Sequence, residues 1–251
     1  MPEGPLLILY REELAQLSGL TMEAATTKLR TADVALLKGR ILTEVTTWGK
    51  YLFMHFGRAL HLRIHWGMFG IYYLDRERAG KEPTAMFVFS GERVLRLYSV
   101  SLRVVEGLPS EKDFDPRADV MSAQWDSALA LKKLRALPPE TMVCDALLDQ
   151  TIFAGLGNAI KTEALFALAI HPESLVHALP PDLLQSLVEE AVGQSQLFLE
   201  GKRTFGAERY GWTLAYRRKE CPRCGGKISI GHTGALQRKS HWCEVCAVRW
   251  A

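Results

Sequence analysis

The chain has 251 residues, 48% of them hydrophobic, with a formal net charge of +3. That composition belongs to a folded protein with room for two modest domains or one large one. No apolar run approaches the roughly eighteen residues of a bilayer span, and no basic segment followed by an apolar stretch opens the chain, so neither a membrane helix nor a secretion signal is expected.

In chain order, the first feature is Met1-Pro2-Glu3-Gly4-Pro5. An α-amino group titrates at roughly 8, well below a lysine, so much of it is neutral at physiological pH. Once Met1 is removed, Pro2 offers a secondary amine, which attacks an aldehyde to give a charged imine. Glu3 beside it can give or take a proton. The ordinary alternative is two prolines stiffening a loose end.

Apolar residues at Leu6, Leu7, Tyr10, Leu14 and Leu17 predict a helix over residues 6–17, stopped by Gly19. From 40 to about 106 the period becomes two, with Tyr51, Phe53 and His55 on one side and Leu52, Met54 and Phe56 on the other. Short strands between Gly-containing turns predict an antiparallel sandwich or barrel. Lys50, after Trp48-Gly49, stands where it could hold a phosphate or simply decorate a strand end. Met68 and Phe69, between Gly67 and Gly70, fit a core position or an exposed wedge. Residues 108–117 read as a linker. Helical spacing returns over 125–137, 142–150, 159–169 and 181–200. Gly155 and Gly157 allow a tight turn at the mouth of the third of these, where free N–H groups suit a phosphate and Asn158 serves as a donor or as the N-cap.

The C-terminal stretch is distinctive. Between 217 and 251 eight Lys or Arg face two Glu, a local charge of +6 that leaves −3 for the remainder and suggests a polyanionic partner, nucleic acid first. Cys221-Pro-Arg-Cys224 and Cys243-Glu-Val-Cys246, separated by eighteen residues, can set four thiolates around one zinc ion. The insert reads as a β-hairpin carrying Arg238 and Lys239, stabilised by the metal because so small a module lacks a core. Cys144 reads as a buried free thiol. Without a disulfide framework, a reducing compartment is expected, cytoplasm or nucleoid if bacterial. The seven histidines receive no role.

Together, Met1-Pro-Glu-Gly-Pro5, Gly49-Lys50-Tyr51, Ala154-Gly-Leu-Gly-Asn158 and the cysteine module with Gln237-Arg238 ahead of Cys243 resemble the formamidopyrimidine-DNA glycosylase and endonuclease VIII family of base-excision repair enzymes, over essentially the whole chain. The resemblance implies an α+β protein: an antiparallel β-sandwich N-terminal catalytic domain over 1–113, a helix-two-turn-helix DNA-binding domain over 118–215, and a four-cysteine zinc-finger β-hairpin over 216–251. Damaged DNA would lie in the cleft between the lobes. It implies a bifunctional glycosylase and lyase with Pro2 as nucleophile, Glu3 opening the sugar ring, and Lys50, Asn158 and Arg238 gripping phosphates around an everted nucleotide. Met68 and Phe69 are the candidates to fill the void. One structural zinc ion, no small-molecule cofactor and a monomer complete the expectation.

Gly4-Pro5, Leu148-Asp-Gln150 and Leu97-Tyr-Ser99 look like the endonuclease VIII branch and oxidised pyrimidines. Val100-Ser-Leu-Arg103 stands where the purine-directed branch has a loop with two arginines and a phenylalanine, and the segment 206–220 is short for that branch's capping loop. The chain departs from the family at Leu6, usually a glutamate, in its longer spacer between cysteine pairs, and at Gly67, where a polar side chain can occur. The alternatives are an oxidised-purine glycosylase of the same family and a catalytically silent protein that binds distorted DNA.

Overall fold

In the computed structural model, residues 2–206 and 210–251 are described. The chain forms two compact units, residues 1–114 and 115–251.

The first unit opens with helix α1 (Gly4–Leu14), which begins two residues before the apolar periodicity does. Glu3 is its N-cap in extended conformation, and Pro5 lies in the first turn, where a missing N–H costs nothing. Leu6, Leu7, Tyr10 and Leu14 are all buried, so the leucine that replaces the family's glutamate joins the core. Six antiparallel strands follow: β1 (Met22–Thr27), β2 (Glu44–Trp48), β3 (Tyr51–Phe56), β4 (Leu60–Leu74), β5 (Ala85–Phe89) and β6 (Arg93–Glu106), in the order β1-β5-β6-β4-β3-β2. All six belong to one continuous sheet. Its long strands β4 and β6 change register between Trp66 and Ile71, opposite Ser99 with φ 53°, and a bulge of this kind bends the strands. Leu52, Met54, Leu62, Ile64, Trp66, Phe87, Leu95 and Leu97 are essentially fully buried. Tyr10 meets Trp66 and Tyr72 edge-on at 5.0 and 4.8 Å, fixing α1 to the sheet. Strand β1 was not expected. Its MEAATT buries only Met22 fully and pairs only with β5, the profile of an edge strand with little apolar signal.

The second unit holds α2 (Ser127–Arg135), the short α3 (Val143–Ala146), α4 (Asn158–Ala167), α5 (Pro181–Phe205) and the hairpin β7 (Ile228–Thr233) with β8 (Arg238–Cys243). The helix expected over 142–150 closes after one turn. Asp149 draws the Thr151 N–H and hydroxyl to its carboxylate at 2.8 Å, the local bonding that competes with a helix. The Gln150 side chain then braces the turns: its Oε1 accepts from Gly155 N–H at 3.1 Å, and its Nε2 donates to the carbonyls of Leu148 and Leu156. Gly155, at φ 104°, supplies the conformation that a side chain would resist. Helix α4 is buried from Ala159 to Phe166, and α5 extends to Phe205, beyond the expected 200.

Candidate functional site

In the first unit, Pro2 and Glu3 are buried, Glu3 being only 5% exposed, and the Glu3 carbonyl accepts from Leu6 N–H at 3.0 Å. The segment is seated at the positive end of the α1 dipole. Met1 lies outside the described residues.

Lys50 occupies the second position of the two-residue turn joining β2 to β3, with Trp48 paired to Tyr51. Gly49 takes φ 52°, the first-position glycine that tight hairpins favour. The register of β3 and β4 sets Tyr51 opposite His65, Phe53 opposite Arg63 and His55 opposite His61. Phe114 covers this face, 5.1–5.7 Å from Trp48, Tyr51 and Phe53. The Arg63 guanidinium stands 5.5 Å over the Tyr51 ring. Burial lowers the His65 pKa first, and the charges of Lys50 and Arg63 lower it further, so the imidazole beside Lys50 is neutral at pH 7. Strand register brings these residues from β3 and β4 onto one face.

Met68 and Phe69 are 66% and 77% exposed at the bulge. A core location is thereby excluded. A Cβ on Gly67 would stand 2.7 Å from the Ser99 carbonyl oxygen, and one on Gly70 would stand 3.0 Å from the same oxygen, so both glycines are needed for the close approach that displays the two side chains.

In the second unit, Gly157 is the N-cap of α4 and Asn158 its first helical residue, so Asn158 is not the cap. Its Oδ1, an acceptor, is buried and has no hydrogen-bond partner among the described residues; the free N–H groups of the helix mouth, not this oxygen, are what suit an anion. Arg238 is the first residue of β8, half-buried and in register with Thr233.

The four thiols of Cys221, Cys224, Cys243 and Cys246 lie within 4.8 Å of one another. Individual Sγ separations are 3.4, 3.5 and 4.0 Å, close to the ~3.8 Å edge of a tetrahedron with zinc–sulfur bonds of about 2.3 Å. Backbone N–H groups of Gly226 and Cys246 point at the sulfurs of Cys224 and Cys243, each at 3.4 Å. Without a cation the thiols compete. Neighbouring Cys224 and Cys243 push Cys246 up to about 12, whereas Cys243, against the effect of its burial, is drawn down to about 7 by the N–H groups of Cys246 and Val245. A divalent ion resolves that conflict by taking all four as thiolates, so the donor set fits zinc.

Two anchors were invisible in the sequence. Glu163, 7% exposed, accepts the N–H groups of Leu214, Ala215 and Tyr216 at 2.7, 3.0 and 2.7 Å. Fully buried Lys161 donates to the Ser240 hydroxyl at 2.8 Å.

Residues 1–101 match the Formamidopyrimidine-DNA glycosylase N-terminal domain, and residues 118–204 match the Formamidopyrimidine-DNA glycosylase H2TH domain. The chain is 30% identical over 226 residues to endonuclease 8-like 3 of Xenopus laevis, covering 85% of this chain and 36% of that protein. It is 28% identical over 258 residues to the DNA-(apurinic or apyrimidinic site) lyase Nei2 of Mycolicibacterium smegmatis, covering 98% of each. The chain spans only about a third to three fifths of the length of the endonuclease 8-like relatives. Among solved structures, the Lactococcus lactis Fpg bound to DNA containing an abasic site superposes with a TM-score of 0.84 at 22% identity, over 98% of this chain and 100% of that one, a likeness of fold.

Proposed function

Because this chain belongs to the formamidopyrimidine-DNA glycosylase and endonuclease VIII family, we propose that it is a bifunctional DNA glycosylase and abasic-site lyase acting through Pro2 on oxidised bases, pyrimidines foremost. The observation that carries the reading is the buried Pro2-Glu3 pair at the start of α1. A relative matched along 98% of its length bears the name of an abasic-site lyase.

The Pro2 nitrogen attacks C1′ of the everted nucleotide, the glycosidic bond breaks, and the base leaves with a proton. Glu3 protonates the ring oxygen as the sugar opens to the iminium. Loss of a C2′ proton expels the 3′ phosphate, and a second elimination expels the 5′ phosphate. Water then hydrolyses the imine and frees Pro2. Lys50 supplies a cation to the phosphate next to the lesion, with neutral His65 beside it. Asn158, at the α4 mouth, and Arg238 contact further phosphates. Met68 and Phe69, already exposed, replace the extruded base in the stack. Zinc is structural, held by Cys221, Cys224, Cys243 and Cys246, and the protein works as a monomer on damaged DNA. The division into 1–113, 118–215 and 216–251 belongs to the same proposal.

The preference for pyrimidines rests on residues 100–103. They form continuous strand in β6, with Val100 opposite Trp66 and Arg103 opposite Arg63, which leaves no arginine-bearing loop there. The other segment in question, 206–220, includes residues 207–209, which lie outside the described residues. No helix among the described residues is long and apolar enough to cross a membrane.

Borohydride trapping on a duplex containing an abasic site tests the chemistry: the mature chain is expected to give a covalent adduct that Pro2→Gly reduces. Absence of any adduct from mature chain overturns the reading in favour of a silent DNA-binding protein. Single-turnover excision of an oxidised pyrimidine against an oxidised guanine tests the lesion class, and faster release of the guanine reverses that preference.

A further inference from the structure

The proposed DNA contacts require Asn158 and Arg238, on different elements of the second unit, to engage one backbone together; the inference here rests on that reading. We propose that Asp145 and Lys161 are positioning residues that fix the aim of Arg238, gripping the hairpin on either side of it.

On the near side, the Asp145 carboxylate of α3 accepts the N–H groups of Ala235 and Leu236 at 2.6 and 3.2 Å. Gly234, at φ 70°, packs so tightly against it that a Cβ there would lie 2.4 Å from both carboxylate oxygens. On the far side, Lys161 of α4 donates to the Ser240 hydroxyl at 2.8 Å and to the Lys239 carbonyl at 3.2 Å. The hydroxyls of Ser240 and Thr233 pair at 2.6 Å, and Thr233 is the cross-strand partner of Arg238. The stretch 234–240 is therefore held at both ends, with Arg238 inside it.

A lysine with no exposed surface is a costly choice for holding a hairpin unless its position matters, since an ammonium loses its hydration on burial. Lys161 lies three residues after Asn158, about one turn along the same face of α4. The helix that presents Asn158 thus also sets the strand that presents Arg238. Charge-assisted contacts tolerate displacements of only about 0.5 Å, so a hairpin released at either end would lose the arginine's contact while keeping its fold and its metal.

The test is a double-mutant cycle on the zinc-loaded full chain, using a duplex with a tetrahydrofuran abasic analogue as probe. Arg238→Ala alone is expected to weaken binding about tenfold and to lower the slope of log K against log[salt] by about one. Lys161→Met is expected to keep one zinc ion per chain and normal helical circular dichroism, yet to weaken binding by a similar factor. Adding Arg238→Ala to it should then cost less than about threefold, because the contact is already lost. The single-turnover rate at saturating DNA should be unchanged in Lys161→Met. If Arg238→Ala costs its full factor in the Lys161→Met background, the two residues act independently and the positioning role is overturned while the phosphate contact stands. If Arg238→Ala changes neither affinity nor slope in the parent chain, the contact itself is refuted, and the positioning role with it. Should Lys161→Met lose zinc, the half-buried Asp145→Ala takes its place in the same cycle, and the same two results overturn the proposal.

Discussion

Replacing Glu163 separates two oxygen atoms that do unequal work. Its Oε1 accepts from Ala215 and Tyr216, and its Oε2 accepts from Leu214. In Glu163→Gln, the amide oxygen can keep the first pair while the new NH2 group faces the Leu214 donor. In Glu163→Ala all three donors are orphaned. A hydrogen bond to a charged acceptor contributes about 1.5–3 kcal/mol, and an unsatisfied buried donor costs about 1–3 kcal/mol. Leu214 is 50% exposed, so its N–H can recover water, but Ala215 is completely buried and cannot. The expected loss is therefore about 3–5 kcal/mol for Ala and about 1.5–2 kcal/mol for Gln. At about 2–4 °C per kcal/mol for a chain of this size, the midpoint falls by about 10 °C and about 5 °C respectively. Thermal release of zinc, followed with a chromogenic chelator, reports on the segment concerned, which enters the cysteine module a few residues later. Equal shifts for Gln and Ala, or no shift in either, would show that the carboxylate does not hold residues 214–216.

Other perturbations address different parts of the molecule. Cys224→Ser should release zinc and weaken DNA binding, measured by metal analysis and fluorescence anisotropy; retained metal would refute the four-thiolate site. Gly67→Ala should destabilise the first unit by about 1–3 kcal/mol in urea unfolding, because the new methyl group collides with the Ser99 carbonyl. By contrast, Met68→Ala with Phe69→Ala should leave stability within about 0.5 kcal/mol and slow excision in duplex far more than in single-stranded DNA; a large loss of stability would return both side chains to the core. His55 has its pKa lowered chiefly by burial, with His61 adding to the fall and Glu44 opposing it. The unfolded chain then binds the proton more readily. Stability from this group is complete above about pH 6.5 and is lost as pH falls through the folded value. His55→Gln should therefore flatten the decline in midpoint between about pH 7.5 and about pH 5, and an unaltered pH profile would assign the decline elsewhere.

What could be read in the sequence follows from how far apart the cooperating residues lie. The cysteine pairs, the alternation in β3 and the glycine turn before α4 are local patterns, and each appears where spacing put it. Met68 and Phe69 could not be assigned from pattern, because a large apolar pair between glycines has the same composition in a core and on a bulge. Their exposure distinguishes the two, and the close approach of Gly67 and Gly70 to Ser99, about thirty residues away, shapes the bulge that displays them. The charged residues of α4 were the hardest to read. Lys161-Thr162-Glu163 has the look of a solvated helix face, yet all three are buried. The ammonium of Lys161 takes up a hydroxyl and a carbonyl from residues 240 and 239 of β8, and the carboxylate of Glu163, pointing elsewhere around the helix, takes up the N–H groups of residues 214–216. The hairpin module shares its small apolar cluster with Phe166 of α4, so its folding depends on what it docks on. The cysteine spacing therefore carried an implication about a helix some sixty residues earlier: polar residues on α4 are where the docking partner of a zinc hairpin should be sought, because the backbone groups of its turns need charged partners once they leave water.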